Sequence, residues 1–442
     1  MGSYIPSTPA QREEMLRAVG VSSADELFAE VPASVRCKGL NLPDGKSELE
    51  VSREMRKIAA KNTVFPSVFR GAGAYNHYIP SIVKSIAAKE EFLTSYTPYQ
   101  AEISQGLLQS IFEYQTMICE LTGMDASNAS VYDGASAAAE AAAMCRDRKR
   151  TRALVSAAAH PDVIRTMRTY AFAAGTEVEL IPVKDGRTDL SALSSMLGPD
   201  VASVYLAQPN FYGCLEEAEG FAGAAHAAGA KLILGVNPIA AAILKTPADA
   251  GADIAVGEGQ PLGMPLSFGG PYLGFMACKA AMMRKLPGRI VGETTDVDGR
   301  RAFVLTLQAR EQHIRREKAS SNICSNQANC ALTASAYLAA MGPKGLREAA
   351  RQCHAKAHYL AGKLGGIEGF GLKFPSPFFH EFVTFCPVDP EKLTAALEAK
   401  GILGGLPLEG DQAGCILWCC TEMNSREEID ALVDAVQEVC GK

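Results

Sequence analysis

Apolar positions along the chain follow one period early and another later. From Glu102 to Leu121 they fall at Ile103, Leu107, Ile111, Tyr114, Ile118 and Leu121, which is the helical period, and Gly123 ends the run. Downstream the pattern shortens. Apolar runs at 153–156, 177–182, 201–207, 231–236, 252–256 and 272–277 predict strands, with helices predicted at 162–174 and 216–228 between them. Such alternation predicts an α/β fold with a mostly parallel sheet. The runs at 231–236, 252–256 and 272–277 are bounded by Gly and charge, and they suit parallel strands covered on both faces. The loop 257–271 carries five Gly and three Pro, so it shapes a backbone surface and offers few reactive side chains. Loops at the carboxyl ends of parallel strands are where α/β folds place their sites.

The two ends of the chain read differently. Residues 1–65 predict an arm of short helices, with Ser22 or Ser23 ahead of Asp25 and Glu26 as a capping signature. A better helix is predicted at 47–61, with Leu49, Met55, Ile58 and Ala59 as its apolar stripe. Near the other end, a helix at 325–338 is followed by Gly342-Pro343, a boundary signal. Beyond it, a helix at 343–364, strands at 368–374, 379–386 and 415–420, and helices at 389–399 and 425–440 predict a smaller α/β unit. Ser425 and Glu428 form a capping box there. The expected organisation is an arm (1–65), a large α/β domain (66–342) and a small C-terminal α/β domain (343–442).

Composition narrows the function classes. A net charge of −6 over 442 residues gives no reason to expect nucleic acid or an anionic membrane surface as a partner. There is no basic-then-apolar leader and no uninterrupted apolar stretch of spanning length. Thirteen scattered Cys, odd in number and mostly inside apolar runs, predict free thiols in a reducing cytoplasm. Neither GxGxxG nor GxxxxGK[ST] occurs, so neither a dinucleotide fingerprint nor a P-loop is present. His354 and His358 stand four apart beside Cys353, but no Glu completes an HExxH pattern and no metal is expected.

The candidate chemistry sits in loops. FRGAGAYNHYIP (69–80) offers Arg70, Tyr75, Asn76 and His77 around two Gly, and TSYTPYQAE adds Tyr96 and Tyr99. Polar aromatics there line a substrate pocket or pack an interface. In VYDGASAAAEA (131–141), Gly134, Ala135 and Ser136 open a helix whose backbone N–H groups and dipole make an anion seat, or simply a tight helix start.

Those two strings, with TSYTPYQAEISQGLLQSIFEYQTMICELTGM (94–124), GEGQPLGMPLSFGGPYLGF (257–275) and REQHIRREKASSNICSNQA (310–328), resemble the alpha, or first, subunit family of the two-subunit glycine-decarboxylating P-protein. The resemblance covers nearly the whole chain. It implies the pyridoxal-phosphate-dependent transferase fold of the aspartate aminotransferase type. It also implies a partner beta subunit, assembly of the two subunits into a heterotetramer, and shared action on glycine. In that action CO2 leaves and the aminomethyl group passes to the lipoyl arm of H-protein.

On this pattern the Schiff-base Lys position falls on Gln260, and an amide cannot form an imine with the cofactor. The acidic position near the preceding strand end falls on or beside Gly235, and no Asp or Glu lies between Lys231 and Pro247. Gly134, Ala135, Ser136 and His160 are then vestigial cofactor contacts, although His160 equally suits helix capping or packing. No catalytic residue is expected on this chain alone, and pyridoxal phosphate is expected on the beta subunit. Arg70, Tyr75, Asn76, His77, Tyr96 and Tyr99 become channel or interface candidates, with Tyr96 and Tyr99 the foremost. Two alternatives stay open: a free-standing pyridoxal-phosphate enzyme using Lys245 or Lys279, and a purely structural partner subunit.

Overall fold

A computed structural model describes residues 6–37, 39–267 and 269–441. The first five residues of the expected arm, together with Lys38, Phe268 of the 257–275 string and Lys442, lie outside the described residues. The chain forms two compact units, divided between Val64 and Phe65.

The first unit carries helices α1 (Pro9–Val19) and α2 (Glu48–Ala59). Both start with a reciprocal capping box, Thr8 with Gln11 and Ser47 with Glu50. Neither helix buries a residue. Leu49, Met55 and Ile58, the stripe expected from the sequence, are exposed. The capping signature at Ser23 precedes only a 3₁₀ turn, Ala24–Phe28, and the Ser23 side chain makes no cap bond.

In the second unit, α3 (Gln105–Thr122) ends at Gly123, whose φ of 70° closes the helix in the left-handed region. Its buried stripe is Leu108, Ile111, Tyr114, Gln115, Ile118 and Thr122, while Ile103, expected on the apolar face, lies before the helix and is exposed. A seven-stranded sheet follows. In chain order its strands are β1 (Ala126–Ser127), β2 (Arg152–Ser156), β3 (Val178–Ile181), β4 (Val201–Gln208), β5 (Lys231–Val236), β6 (Ile254–Glu258) and β7 (Gly274–Cys278). In space they run β1-β7-β6-β5-β4-β2-β3. Helices α4 (Gly134–Cys145), α5 (Pro161–Ala174) and α6 (Ala218–Ala227) punctuate them.

Alternate residues of these strands enter two different cores. Leu154, Val204, Leu206, Leu232 and Leu234 pack on one face of the sheet. Val155, Tyr205, Ile233, Val256 and Met276 pack on the other. Burial of both faces is why these strands read as continuous apolar runs. One expectation needs correction: β7 runs antiparallel to β6 and to β1. A parallel return requires a crossover of a dozen or more residues, usually helical. The Gly- and Pro-rich segment after β6 instead turns the chain straight back, pairing Gly274 with Glu258.

A long helix, α7 (Ala328–Leu364), is kinked where Gly342 adopts φ 59° and ψ 177° just before Pro343. Pro343 lacks an N–H and Gly342 takes the left-handed φ, so the sequence signal marks a bend within one helical element. Strands β8 (Gly371–Leu372), β9 (Glu381–Phe385), β10 (Leu406–Pro407) and β11 (Cys415–Cys419) form an antiparallel sheet in the order β8-β9-β11-β10. Helices α8 (Pro390–Ala399) and α9 (Arg426–Cys440) help build its core, which includes Phe382, Trp418, Leu393 and Leu432. The Ser425–Glu428 capping box starts α9. All thirteen thiols are unpaired.

Candidate functional site

A cleft of about 380 Å³ opens at the carboxyl ends of β4, β5 and β6, walled by the start of α4 and by the 72–75 loop. That is where a parallel sheet presents its loops. Its floor is Tyr205, Ala207 and Gly235. A Cβ on Gly235 would come within 2.3 Å of the Tyr205 hydroxyl, so only Gly fits under that ring. No carboxylate stands at the end of β5. Asn237 is there, and its Oδ1 accepts from the N–H groups of Ile239 and Ala240 to cap a turn.

The structure gathers Tyr75, Gly134, Ala135 and His160 around this cleft. His160 has both ring nitrogens engaged. Nδ1 accepts from the Asp162 N–H at the start of α5 (3.1 Å), and Nε2 lies 2.9 Å from the Ala72 carbonyl. Those partners select the tautomer protonated at Nε2. The ring also meets Phe211 edge-on at 5.2 Å. His160 therefore caps a helix and ties down a loop. Ser136 is committed as well, its N–H donating to the N-cap Asp133 (2.7 Å).

Gln260 is fully buried. Its Oε1 accepts from the Tyr75 N–H (2.9 Å), and its Nε2 donates to the carbonyls of Tyr75 (2.9 Å) and Met264 (2.8 Å). The amide is a clasp joining the 257–271 loop to the 72–75 loop. The Tyr75 hydroxyl in turn donates to Glu381 Oε2 (2.7 Å), whose Oε1 accepts from the Ala72 N–H (2.6 Å). Burial pushes Glu381 up to about 7, against the lowering pull of those two hydrogen bonds.

Sequence reasoning missed Glu258. Its carboxylate sits at the N-terminus of α4 and accepts three backbone N–H bonds: Gly134 (3.0 Å), Gln260 (2.9 Å) and Leu273 (2.9 Å). Burial raises it to about 7 while the three donors oppose. A signal was present, since Glu258 is the only charged residue between 257 and 271.

Three of the remaining candidates lie away from the cleft. Arg70 donates to the carbonyls of Gly404 (3.1 Å) and Gly405 (2.9 Å). The Asn76 carbonyl accepts from the Thr421 hydroxyl (2.6 Å). His77 is buried, with Nδ1 2.7 Å from Glu422 Oε2, and Cys353 Sγ is 3.3 Å from the same oxygen. Burial opposes ionisation of Glu422, yet the His77 contact and the Tyr78 N–H hold it down to about 2. Ligands around a tetrahedral zinc stand about 3.3 Å apart, so the 2.7 Å separation describes a hydrogen bond. Arg70 ties the 69–80 loop to the 404–405 segment, and Asn76 and His77 tie it to the segment after β11, whose Glu422 also meets Cys353 of α7. His358, beside His354, faces the Phe378 carbonyl and stacks on the Phe378 ring.

Tyr96 and Tyr99 lie outside the cleft and are 82% and 58% exposed. The Tyr99 hydroxyl accepts from Arg289 (3.0 Å). Lys245 is exposed and paired with Glu219, and Lys279 precedes a 3₁₀ turn after β7. Among the described residues no Lys lines the cleft. A covalently held pyridoxal phosphate needs an amine, an acid against its ring nitrogen and an open phosphate seat. Here no Lys lines the cleft among the described residues, Asn237 rather than an acid follows β5, and Glu258 already takes up the Gly134 N–H at the start of α4. The residues present do not fit the group.

Comparison with solved structures sets the class. The chain matches an alanine–glyoxylate aminotransferase from Nostoc over 86% of its length and 96% of that chain, at 17% identity and a TM-score of 0.61. It therefore has the fold of the pyridoxal-phosphate-dependent aminotransferases. A crystal structure of glycine decarboxylase (P-protein) of the glycine cleavage system, in inhibitor-bound form, superposes with a TM-score of 0.94 at 45% identity, covering 99% of this chain and 100% of that one. The probable glycine dehydrogenase (decarboxylating) subunit 1 of Moorella thermoacetica is 52% identical across 99% of both chains, and that of Desulfitobacterium hafniense is 49% identical across 99% of this chain and all of its own. The sequence description of the glycine cleavage system P-protein matches residues 2–436. The chain belongs to the glycine cleavage system P-protein family.

Proposed function

We propose that this chain is the cofactor-free alpha subunit, or subunit 1, of the glycine-decarboxylating P-protein. Its role in glycine decarboxylation follows from its family and from relatives matched along their full length. With a second subunit it forms an enzyme that releases CO2 from glycine and passes the aminomethyl group to the lipoyl arm of H-protein. Pyridoxal phosphate belongs to that second subunit. The observation carrying this reading is Gln260: the side chain at the Schiff-base position is an amide, fully buried, with its hydrogen bonds spent on Tyr75 and Met264.

What the chain supplies is surface and positioning. Arg70, Asn76 and His77 hold the 69–80 loop in place, and Tyr75 shapes the wall of the cleft. Tyr96 and Tyr99 face outward, and we assign them to the channel leading to the partner's centre, where a hydroxyl can orient glycine or a lipoyl sulfur. Among the described residues no helix is long and apolar enough to cross a membrane. Thirteen unpaired thiols suit a reducing cytoplasm, where we place the protein.

Exchange of labelled CO2 into glycine tests the reading. The chain alone and the second subunit alone should exchange little, and the mixture should exchange rapidly. Rapid exchange by this chain alone would overturn it.

A further inference from the structure

We propose that Arg289 anchors an acidic side chain of the second subunit: its buried guanidinium, which has no ion-pair partner among the described residues of this chain, receives a partner carboxylate beside Tyr99. This rests on the reading of the chain as one part of a two-subunit enzyme and names a contact between the parts.

The guanidinium is underused. Arg289 precedes the strand Ile290–Thr295, and its carbonyl accepts from the Ala129 N–H (2.8 Å), which fixes the main chain. The residue is 3% exposed. A guanidinium carries five N–H donors and keeps its charge. Here only Nη2 finds acceptors among the described residues, the Tyr99 hydroxyl (3.0 Å) and, more distantly, Cys324 Sγ (3.8 Å). Nε is buried and donates to nothing. No Asp or Glu among the described residues pairs with it. A desolvated charge in that condition is unfavourable, and folded proteins otherwise pair it. A second guanidinium stands on the same turn. Arg310 donates to the carbonyls of Leu286 and Gly288, its own Nε is also buried without a partner, and the adjacent Glu311 is turned to His313 (3.7 Å).

The cation lies one side chain below the surface. Both of its acceptors belong to exposed residues, and the Tyr99 ring centre is 5.3 Å from the guanidinium carbon. In the same segment as Tyr99, the side chains of Leu93, Tyr96 and Ile103 are exposed. Arg under aromatic and apolar surface is the composition of the core of a protein contact. Arg289 does not line the cleft, so the group it takes is delivered at this surface. A carboxylate matches the fork through two parallel N–H···O bonds, and the Nε edge is left for them.

The test uses the full chain and its second subunit. Arg289→Met removes the charge and fills similar space. Alone, it should melt at the wild-type temperature or above it, since a charge without a partner has left the interior. Its assembly with the second subunit, followed by titration calorimetry, should weaken about a hundredfold, because the partner's carboxylate then loses its cation. Arg289→Lys keeps the charge without the fork and should weaken assembly about tenfold. Assembly of Arg289→Met at wild-type affinity overturns the inference. Should Arg289→Met melt lower or fail to fold, Arg289→Lys decides: weaker assembly at the wild-type Tm supports the anchor, while wild-type affinity or a lowered Tm overturns it. Free glycine is the control for another source of the carboxylate. If glycine raises the Tm of the wild-type chain and not that of Arg289→Met, the substrate supplies the group and the assignment to the second subunit falls. A wild-type chain that never assembles with the second subunit sinks the functional reading itself, whereas equal assembly of wild type and Arg289→Met sinks the anchor alone.

Discussion

The cleft and the segment 93–103 are opposites. In the cleft the chain is satisfied by itself: Gln260 closes on Tyr75, Glu258 on three N–H groups, His160 on Ala72 and Asp162. Along 93–103, Leu93, Tyr96, Tyr99 and Ile103 present apolar and aromatic surface outward. The contrast separates two kinds of surface: a cleft whose polar groups pair with one another, and an outward segment of apolar and aromatic side chains.

Substitutions can break or sharpen this contrast. The largest change comes with pH. Glu258 and Glu381 both have folded pKa values raised from 4.5 to about 7. The folded state thus binds these protons more tightly. The stability they contribute is complete below about 4.5 and lost as pH rises through about 7, by about 3 kcal/mol for each. Glu381→Gln should make the fall between pH 5 and pH 8 distinctly shallower, and an identical fall would refute that assignment. Behind the cleft, His77→Ala removes a 2.7 Å contact of the half-buried Glu422, and about 2 kcal/mol of stability should be lost in denaturant unfolding. An unchanged midpoint would contradict that tie.

Gln260→Ala deletes three hydrogen bonds of the clasp and should cost about 2 kcal/mol, read as a lower urea midpoint at unchanged slope. At the outward end, Tyr96→Phe should leave the melting temperature of the chain unaltered, whereas Tyr99→Phe removes an acceptor of the buried Arg289 and should cost about 1 kcal/mol. Turnover of the two-subunit enzyme should nevertheless fall about tenfold if these hydroxyls position a reactant. Full turnover with both Phe variants would reduce this segment to plain packing.

Much of this architecture was legible in sequence because its signals are local. The runs at 153–156, 201–207 and 231–236 became strands since burial on both faces leaves an unbroken apolar stretch. Gly123 and the Ser425–Glu428 pair marked a helix end and a helix start through backbone chemistry that needs no distant partner. The direction of β7 was not legible, because periodicity reports which residues are buried and not which way a strand runs. The site was harder still. Gln260 stood out as the wrong residue for an imine, but its clasp joins residues 185 apart, and the Glu258 bond to Gly134 spans 124. Nothing local distinguishes a carboxylate that takes up backbone N–H groups from one that faces water. Ile103 failed for the opposite reason: its spacing fitted the helix, yet it lies before the first turn and faces outward.

The most direct measurement of the central claim is an absorbance spectrum of the purified chain after incubation with pyridoxal phosphate, borohydride treatment and dialysis, repeated with the second subunit present. The account predicts no retained cofactor band on this chain alone and a stable band in the mixture, carried by the partner. A borohydride-fixed adduct on this chain by itself would contradict it and point back to Lys245 or Lys279.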